Sequence, residues 1–211
     1  MLIQDIKKEM LLLVLIKNNS IGVSKMKALI YLIIFFSCSG FYQTAFSQDS
    51  VSFPVKLDNT GFQDVFAQSD NIFISGQPEK ESFVKLNSEG VTTVINLRTP
   101  SEMDNREYVP FDEKAVVDSL GMQYIHIPLG GTEFPYTKEA LQKFADAVDK
   151  AEGKVLLHCT VGRRASNMWA AYLIQFKGLE PNKAIEYAKA VNFGEWPLEG
   201  LLGKKMVIKF E

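Results

Sequence analysis

The feature that most constrains this fold is the alternation of short apolar segments with longer segments of helical character. Four strand-like segments are short and rich in β-branched or aliphatic residues: 72–74, 91–97, 124–127 and 155–158. Helix start and stop signals delimit five further segments: 78–90, 112–120, 137–151, 165–176 and 181–191. Strands that alternate with helices favour right-handed crossovers and a parallel sheet buried on both faces. The sequence therefore predicts an α/β fold with a central, mostly parallel sheet.

The composition is that of one ordinary globular domain. The chain has 211 residues, of which 46% are hydrophobic and 23% are charged, which is enough material for one packed core. Its formal net charge is −2, and no dense cluster of Lys and Arg occurs along it. Nucleic-acid binding requires a concentrated basic surface, so we expect no nucleic-acid partner.

The N-terminal region is typical of an export signal. Residues 28–36 form an almost unbroken apolar run that follows Lys25 and Lys27. The run is shorter than the roughly 20 residues of a membrane span, and Ala45-Phe46-Ser47 offers a small-x-small cleavage site. We therefore predict a signal peptide over residues 1–47, with Met26 as an alternative start. The mature protein is expected to be periplasmic or secreted, without stable membrane insertion.

Two alternatives for the N-terminal region remain open at this point. Cys38 could carry a lipid, although the residues before it match a lipobox poorly. The apolar run could also extend over Phe41 and Tyr42 and act as an uncleaved anchor. After the signal peptide we predict a lead-in segment over 48–70, the main domain over 71–192 and a C-terminal tail over 193–211.

Removal of residues 1–47 would leave one cysteine, Cys159. A single cysteine in an oxidising compartment has no internal disulfide partner, so it is either an inert core residue or a thiol kept for chemistry. The two histidines, His126 and His158, lie on different elements from each other, so no metal site and no cofactor are predicted.

The residues after the strand 155–158 favour the chemical role. Cys159 and Arg164 enclose a short loop between a buried strand and a buried helix, and its backbone N–H groups and the helix N-terminus should converge on an anion. That positive field favours a thiolate at Cys159, which is the nucleophilic form. An Arg164 fork can hold two phosphoryl oxygens. The predicted phosphate-binding residues are Thr160, Val161, Gly162, Arg163 and Arg98.

Other interpretations of the basic residues stay open. The arginines of the loop could be surface charges beside a buried cysteine. Arg98 ends a strand at the carboxyl edge of the sheet, where ligands bind in open α/β folds, and could contact substrate or form a structural salt bridge. His158 could orient the loop or be a satisfied core histidine.

Four separated motifs carry a family resemblance. They are His158-Cys159-x-x-Gly162-x-Arg164, the segment 74–78 (ISGQP), the segment 94–98 (VINLR) and the segment 126–131 (HIPLGG). Together they resemble the beta-lactamase hydrolase-like, phosphatase-like domains of the cysteine-dependent tyrosine and dual-specificity phosphatase superfamily. The resemblance implies a three-layer fold and hydrolysis of phosphomonoesters, either protein phosphotyrosine or a small phosphorylated molecule. It also implies Cys159 as the nucleophile that forms a phosphocysteine and Arg164 as the phosphate clamp.

Three departures from the wider superfamily leave the reaction open. The residue after the Arg is usually Ser or Thr, which would hydrogen-bond the thiolate, but here it is Ala165, with Ser166 one step on. The loop is one residue shorter between Cys159 and Arg164 than in ordinary tyrosine phosphatases, which also suits a rhodanese-like sulfurtransferase or persulfide carrier. The Asp that usually protonates the leaving group is replaced by Gly130-Gly131. Glu133 is the nearest candidate for this general acid, and Asp104 and Glu102 are the others. If none of them acts, an anion-binding pseudoenzyme remains as the third hypothesis.

Overall fold

The computed structural model describes residues 51–194 and 198–206, all of which belong to the compact unit Gln48–Glu211. The predicted signal peptide, its Met26 start and Cys38 lie outside the described residues. Seven helices and six strands occur in the described part of the chain. The strands are β1 Val55–Lys56, β2 Phe66–Ser69, β3 Ile72–Ser75, β4 Val91–Asn96, β5 Gln123–His126 and β6 Lys154–His158. The helices are α1 Lys80–Ser88, α2 Pro100–Asp104, α3 Glu113–Ser119, α4 Lys138–Lys150, α5 Arg163–Gln175, α6 Pro181–Val191 and α7 Leu198–Leu202.

The strands form one mixed sheet in the order β1-β2-β3-β6-β4-β5. The four strands from β3 to β5 pair in parallel, which confirms the predicted α/β class with a parallel centre. β1 and β2 add an antiparallel edge on the β3 side. The sequence pattern put the start of the main domain at residue 71. The sheet begins earlier in the chain, because Val55–Lys56 and Phe66–Ser69 pair in it as strands.

The pleat of β6 separates two hydrophobic clusters, one on each face of the sheet. Val155 and Leu157 belong to the larger cluster, which packs under α4, α5, α6 and α7. Leu156, between them, belongs to the smaller cluster under α1 and α3. Alternate residues of a strand point to opposite faces, so a fully apolar strand must be covered on both sides. Helices on both faces give the three layers.

Three of the seven helices in the described ranges begin at a capping side chain. Thr137 accepts a hydrogen bond from the Ala140 N–H and caps α4, whose bounds confirm the predicted helix. Asp112 caps α3 in the same way through the Ala115 N–H. The tail, in which no period was visible, contains α7, and its Leu198 and Leu201 are buried in the larger cluster. None of the helices in the described ranges is long and apolar enough to cross a membrane.

Candidate active site

The candidate nucleophile lies where the central strand of the sheet ends. Cys159 directly follows β6, which lies between β3 and β4, so the carboxyl ends of three parallel strands surround it. Its side chain is 1% exposed. The turn after β3 supports the loop from the side, because the Cys159 N–H donates to the Ser75 carbonyl at 3.3 Å and the Gln77 N–H donates to the Thr160 carbonyl at 2.9 Å. The loop is thus fixed to the neighbouring strand by backbone bonds.

Two glycines make this close approach possible. A Cβ on Gly76 would lie 1.7 Å from the Gln63 carbonyl oxygen and 2.9 Å from the Thr160 carbonyl oxygen. Gly162 adopts φ +84°, and a Cβ there would lie 2.4 Å from the Val65 side chain. Gly162 is also the N-cap of α5, so the loop turns directly into the helix. The first N–H groups of that 13-residue helix lack intrahelical partners and favour a bound anion.

Cys159 lines a cavity of about 380 Å³. Thr160, Val161, Arg163 and Arg164 line it as well, which brings most of the predicted phosphate-binding loop to one place. Arg163 is solvent-exposed at the first turn of α5. The Val161 carbonyl is held from outside by the Asn192 amide at 2.6 Å. These contacts support an oxyanion site built around the thiol.

Arg164 is held by an ion pair that the sequence analysis did not assign. Its Nη1 donates to Glu102 Oε2 at 2.8 Å and its Nη2 donates to Glu102 Oε1 at 2.6 Å. Further bonds run to the Leu129 carbonyl at 2.7 Å and to the Thr160 hydroxyl at 2.8 Å. All of these hydrogen bonds use Nη1 or Nη2, and these two groups fix the orientation of the guanidinium. Nε has no partner among the described residues.

Glu102 is ionised at neutral pH. Burial opposes its charge, but the hydrogen bonds from Arg164, the Thr99 N–H and the Thr160 hydroxyl outweigh burial and lower its pKa to about 2. The sequence carries a signal for this placement. Thr99 and Glu102 form a capping box around Pro100 at the start of α2, and a Thr followed three residues later by Glu is its signature. This segment nevertheless lies outside the five helical segments that the sequence analysis predicts.

The other two candidate acids are not brought to the cavity. Glu133 is solvent-exposed in the short loop closed by the Gly130–Phe134 bridge. Asp104 is exposed at the end of α2. Neither lines the cavity that contains Cys159. Their side chains point to solvent because nothing on these surface turns requires their burial.

Arg98 is buried beside this cavity rather than within it. It is 4% exposed, its Nη1 donates to Gln77 Oε1 at 2.7 Å, and its Nε lies 3.8 Å from Glu102 Oε1. Burial lowers the pKa of Arg98, although the charge of Glu102 opposes that effect. Arg98 lines a second cavity of about 930 Å³ that shares Glu102, Thr160 and Val161 with the first. Both of the roles weighed for Arg98 therefore have a structural basis.

A buried polar network under the loop was not predicted. Glu113, at the start of α3, accepts from Gln77 Nε2 at 2.6 Å, from Asn96 Nδ2 at 2.7 Å and from His158 Nε2 at 3.1 Å. Burial opposes the Glu113 charge, but the charge and hydrogen bond of His158 and the two amide bonds lower its pKa. His158 is 0% exposed; its Nε2 bonds Glu113, whereas its Nδ1 has no partner among the described residues. His126 bonds the Arg98 carbonyl at 2.6 Å.

No sequence signal distinguishes Glu113 from a surface carboxylate. It lies in the first turn of a helix, where acidic residues are common at the surface, and its three partners come from three other elements. Within the described ranges, no group of three His, Cys, Asp or Glu side chains is arranged to hold a metal ion.

Comparisons with known proteins agree with the geometry. Residues 52–200 match the model of a family described as DSP-PTPase phosphatase fused to NAD+ kinase. The beta-lactamase hydrolase-like protein of Xylella fastidiosa (strain Temecula1) is 33% identical over 102 residues, which cover 48% of this chain and 23% of that protein. The chain thus matches about a quarter of the length of that relative.

Solved structures resemble the chain over a longer span. A candidate phosphatase (DUF442) from Shewanella putrefaciens CN-32 is 29% identical with a TM-score of 0.52, and the match covers 68% of this chain and 91% of that one. The crystal structure of PTPMT1 has a TM-score of 0.51 at 24% identity, covers 63% of this chain and 88% of that one, and supports the fold alone. These neighbours share the three-layer α/β architecture of the tyrosine and dual-specificity phosphatase superfamily.

Proposed function

Because this chain belongs to the family described as DSP-PTPase phosphatase fused to NAD+ kinase, we propose that it hydrolyses phosphomonoesters through a phosphocysteine on Cys159. The observation that carries the proposal is the position of the thiol. Cys159 lies in a cavity at the N-terminus of α5, beside an Arg164 guanidinium that Glu102 already holds in place. Preorganised donors around a developing negative charge are the main source of catalysis in phosphoryl transfer.

The reaction has two steps. The Cys159 thiolate attacks phosphorus, the bond from phosphorus to the ester oxygen breaks, and the leaving alcohol takes up one proton. Water then attacks the phosphocysteine, the phosphorus–sulfur bond breaks, and the thiolate and inorganic phosphate are released. The amides of the loop and the free Nε of Arg164 stabilise the equatorial oxygens in both steps.

The larger cavity is suited to the organic part of the substrate. It adjoins the Cys159 cavity at Thr160 and Val161, and its walls include the aromatic side chains of Phe62, Tyr108 and Phe111. An aromatic wall next to a phosphoryl site accommodates a phosphotyrosine side chain or a small phosphorylated molecule with an apolar part. The proposed partner is therefore a phosphorylated substrate or another oxyanion, without a metal or cofactor.

Intact-mass spectrometry after an acid quench tests this function directly. Wild-type protein is mixed briefly with p-nitrophenyl phosphate and, in parallel, with thiosulfate. We expect one added phosphoryl group in the first sample, lost in Cys159→Ser, and no added mass in the second. A Cys159-dependent gain of one sulfur atom from thiosulfate, with no phosphoryl adduct, would instead support the sulfurtransferase alternative. Phosphate or vanadate binding without any adduct or turnover would support the pseudoenzyme.

We also propose that the mature chain begins at Gln48 and acts in the periplasm or outside the cell. The support is the apolar run 28–36 with its preceding lysines and the small residues before position 48. N-terminal sequencing of the protein from the extracytoplasmic fraction should give Gln48 as the first residue. A protein that stays in the cytoplasm with residues 28–36 intact would contradict this proposal.

A further inference from the structure

The proposed reaction leaves open which group gives the leaving alcohol its proton. An alkoxide is a poor leaving group, and a positioned proton donor contributes about 10²–10⁴-fold to the rate. Among residues 51–194 and 198–206, Glu102 is the one carboxylic acid that lines the Cys159 cavity, but its pKa of about 2 keeps it ionised. Glu133 and Asp104 do not line the cavity. A carboxylic acid among the described residues therefore does not fill the role.

Tyr136 lines the Cys159 cavity, and its hydroxyl group is able to donate a proton to the leaving alcohol. The residue directly precedes Thr137, the N-cap of α4, and its ring packs against the larger hydrophobic cluster. On the other side its backbone meets α7 so closely that a Cβ on Gly200 would lie 2.7 Å from the Tyr136 carbonyl oxygen. Two helices thus fix the residue at the rim of the cavity, half-buried.

The hydroxyl group of Tyr136 is available for a ligand. It forms no hydrogen bond with another described residue. Burial raises the pKa of Tyr136, the Arg164 charge opposes this, and the charges of Cys159 and Glu102 add to it. The phenol is therefore protonated at neutral pH, and it is close enough to Cys159 and Arg164 for their charges to act on it. Thr160, the other hydroxyl at the cavity, already donates to Glu102 at 2.8 Å.

We propose that Tyr136 is the catalytic proton donor of this site, an inference that rests on the proposed phosphatase function. As the ester bond breaks in the first step, the phenolic proton moves to the leaving oxygen and a tyrosinate remains. In the second step the tyrosinate takes a proton from the attacking water, and the phenol is restored. The proton balance closes over the two steps without any further acid or base.

This assignment also selects a substrate class. A phenol is a weak acid, so it transfers a proton readily to a strongly basic alkoxide and gains little from protonating a weakly basic phenolate. The site should consequently show its dependence on Tyr136 with alkyl phosphates, such as phosphorylated alcohols and sugars. Aryl phosphates with acidic leaving groups should react almost equally well without the hydroxyl.

The test is Tyr136→Phe, which removes the hydroxyl and keeps the ring. Values of kcat/KM are measured for p-nitrophenyl phosphate, phenyl phosphate and glycerol phosphate, so that leaving-group basicity rises along the series. We expect a loss below about threefold with p-nitrophenyl phosphate and a loss of about 10²-fold or more with glycerol phosphate. Tyr187→Phe is the control, because its hydroxyl faces the Val51 carbonyl outside the cavity; its three values should match the wild type.

A second readout separates proton transfer from simple positioning. Acid quench and mass spectrometry should show that Tyr136→Phe forms phosphocysteine from p-nitrophenyl phosphate about as fast as the wild type, because p-nitrophenolate leaves without a proton. From glycerol phosphate the variant should form phosphocysteine about 10²-fold more slowly than the wild type. An equal loss of kcat/KM with all three esters, or no loss with any, would overturn the proposal. If the wild type forms no phosphocysteine and turns over none of them, the proposed phosphatase function itself is wrong, and Tyr136 has no such role.

Discussion

Replacing Glu113 by Ala should destabilise the protein by about 3–5 kcal/mol, because it breaks a buried polar network at its centre. The side chain is 1% exposed and accepts hydrogen bonds from Gln77, Asn96 and His158. Its removal leaves one N–H group of each partner without its acceptor, although Gln77 Nε2 and Asn96 Nδ2 keep second bonds to the Pro78 carbonyl and the Tyr124 hydroxyl. Each buried N–H group left without an acceptor costs about 1–3 kcal/mol. Water that enters the vacated space recovers part of this, which brings the estimate into the stated range.

The geometry also predicts a smaller effect for Glu113→Gln. Asn96 and His158 both donate to Oε1, whereas Gln77 donates to Oε2. A glutamine can keep the first two bonds through its carbonyl oxygen, but its NH₂ group would face the Gln77 amide. We therefore expect Glu113→Gln to lose about 1–3 kcal/mol, roughly one buried hydrogen bond and the charge interaction.

Urea unfolding at pH 7 measures both values, with Lys114→Ala as the control. Lys114 is the next residue on α3, and its ion pair with Asp118 is solvent-exposed, so its loss should cost below about 1 kcal/mol. A loss below about 1 kcal/mol for Glu113→Ala, or a larger loss for Glu113→Gln than for Glu113→Ala, would refute the network argument.

Three further predictions concern acid stability, the loop and the core. The pKa of Glu102 is about 2 in the folded chain against 4.5 ordinarily, so its contribution is complete above about pH 4.5 and is lost as pH falls toward 2. After allowance for the 31% exposure of Glu102, we expect its ionisation to contribute about 1–2 kcal/mol to the free energy of unfolding. Between pH 5 and 2.5 the free energy of unfolding should therefore fall less steeply in Glu102→Gln than in the wild type. An equally steep fall in both proteins would contradict this prediction. Gly162→Ala should abolish vanadate binding and lower Tm, because the added Cβ would lie 2.4 Å from a methyl group of Val65. The control is Gly121→Ala: Gly121 has φ +74° and open space around it, so this variant should show only the backbone cost of about 1–2 kcal/mol. Equal effects of the two substitutions would refute the steric argument. Phe83→Ala should lose about 3–5 kcal/mol in urea unfolding because the ring is 0% exposed, against about 0.5 or less for Val84→Ala, which is 58% exposed; similar losses would show that the core is wrongly assigned.

The parts of the fold that could be predicted are those whose signal is local. The spacing of Leu141, Phe144 and Val148 gives α4 because a helix repeats every 3.6 residues whatever its surroundings. The β-branched run of β4 does the same for a buried strand. The sequence pattern predicted only a lead-in segment where β1 and β2 lie. These strands are defined by the pairing of β1 with β2 and of β2 with β3, and residues 55–69 show no periodic pattern that would reveal this pairing.

The site was predictable to the extent that it is contiguous in the chain. Cys159, Gly162 and Arg164 lie within one loop, so strand, turn and helix signals place them together. The partners of Arg164 and His158 are carboxylates from α2 and α3, more than forty residues earlier. Only the tertiary fold decides which of the many Glu side chains is buried, and so Glu113 escaped detection.

The strand order has a consequence for how the site comes into being. β6 inserts between β3 and β4, which precede it in the chain by more than fifty residues, and it pairs with both. A chain that is still being made, or is threaded from one end, holds β3 and β4 with unpaired inner edges until residues 154–158 arrive. Closing this gap is a long-range event that costs loop entropy, so the sheet should complete late. The cavity around the Cys159 thiol therefore forms only when β6 pairs with both β3 and β4. Until then, a partly folded chain exposes the cysteine to solvent.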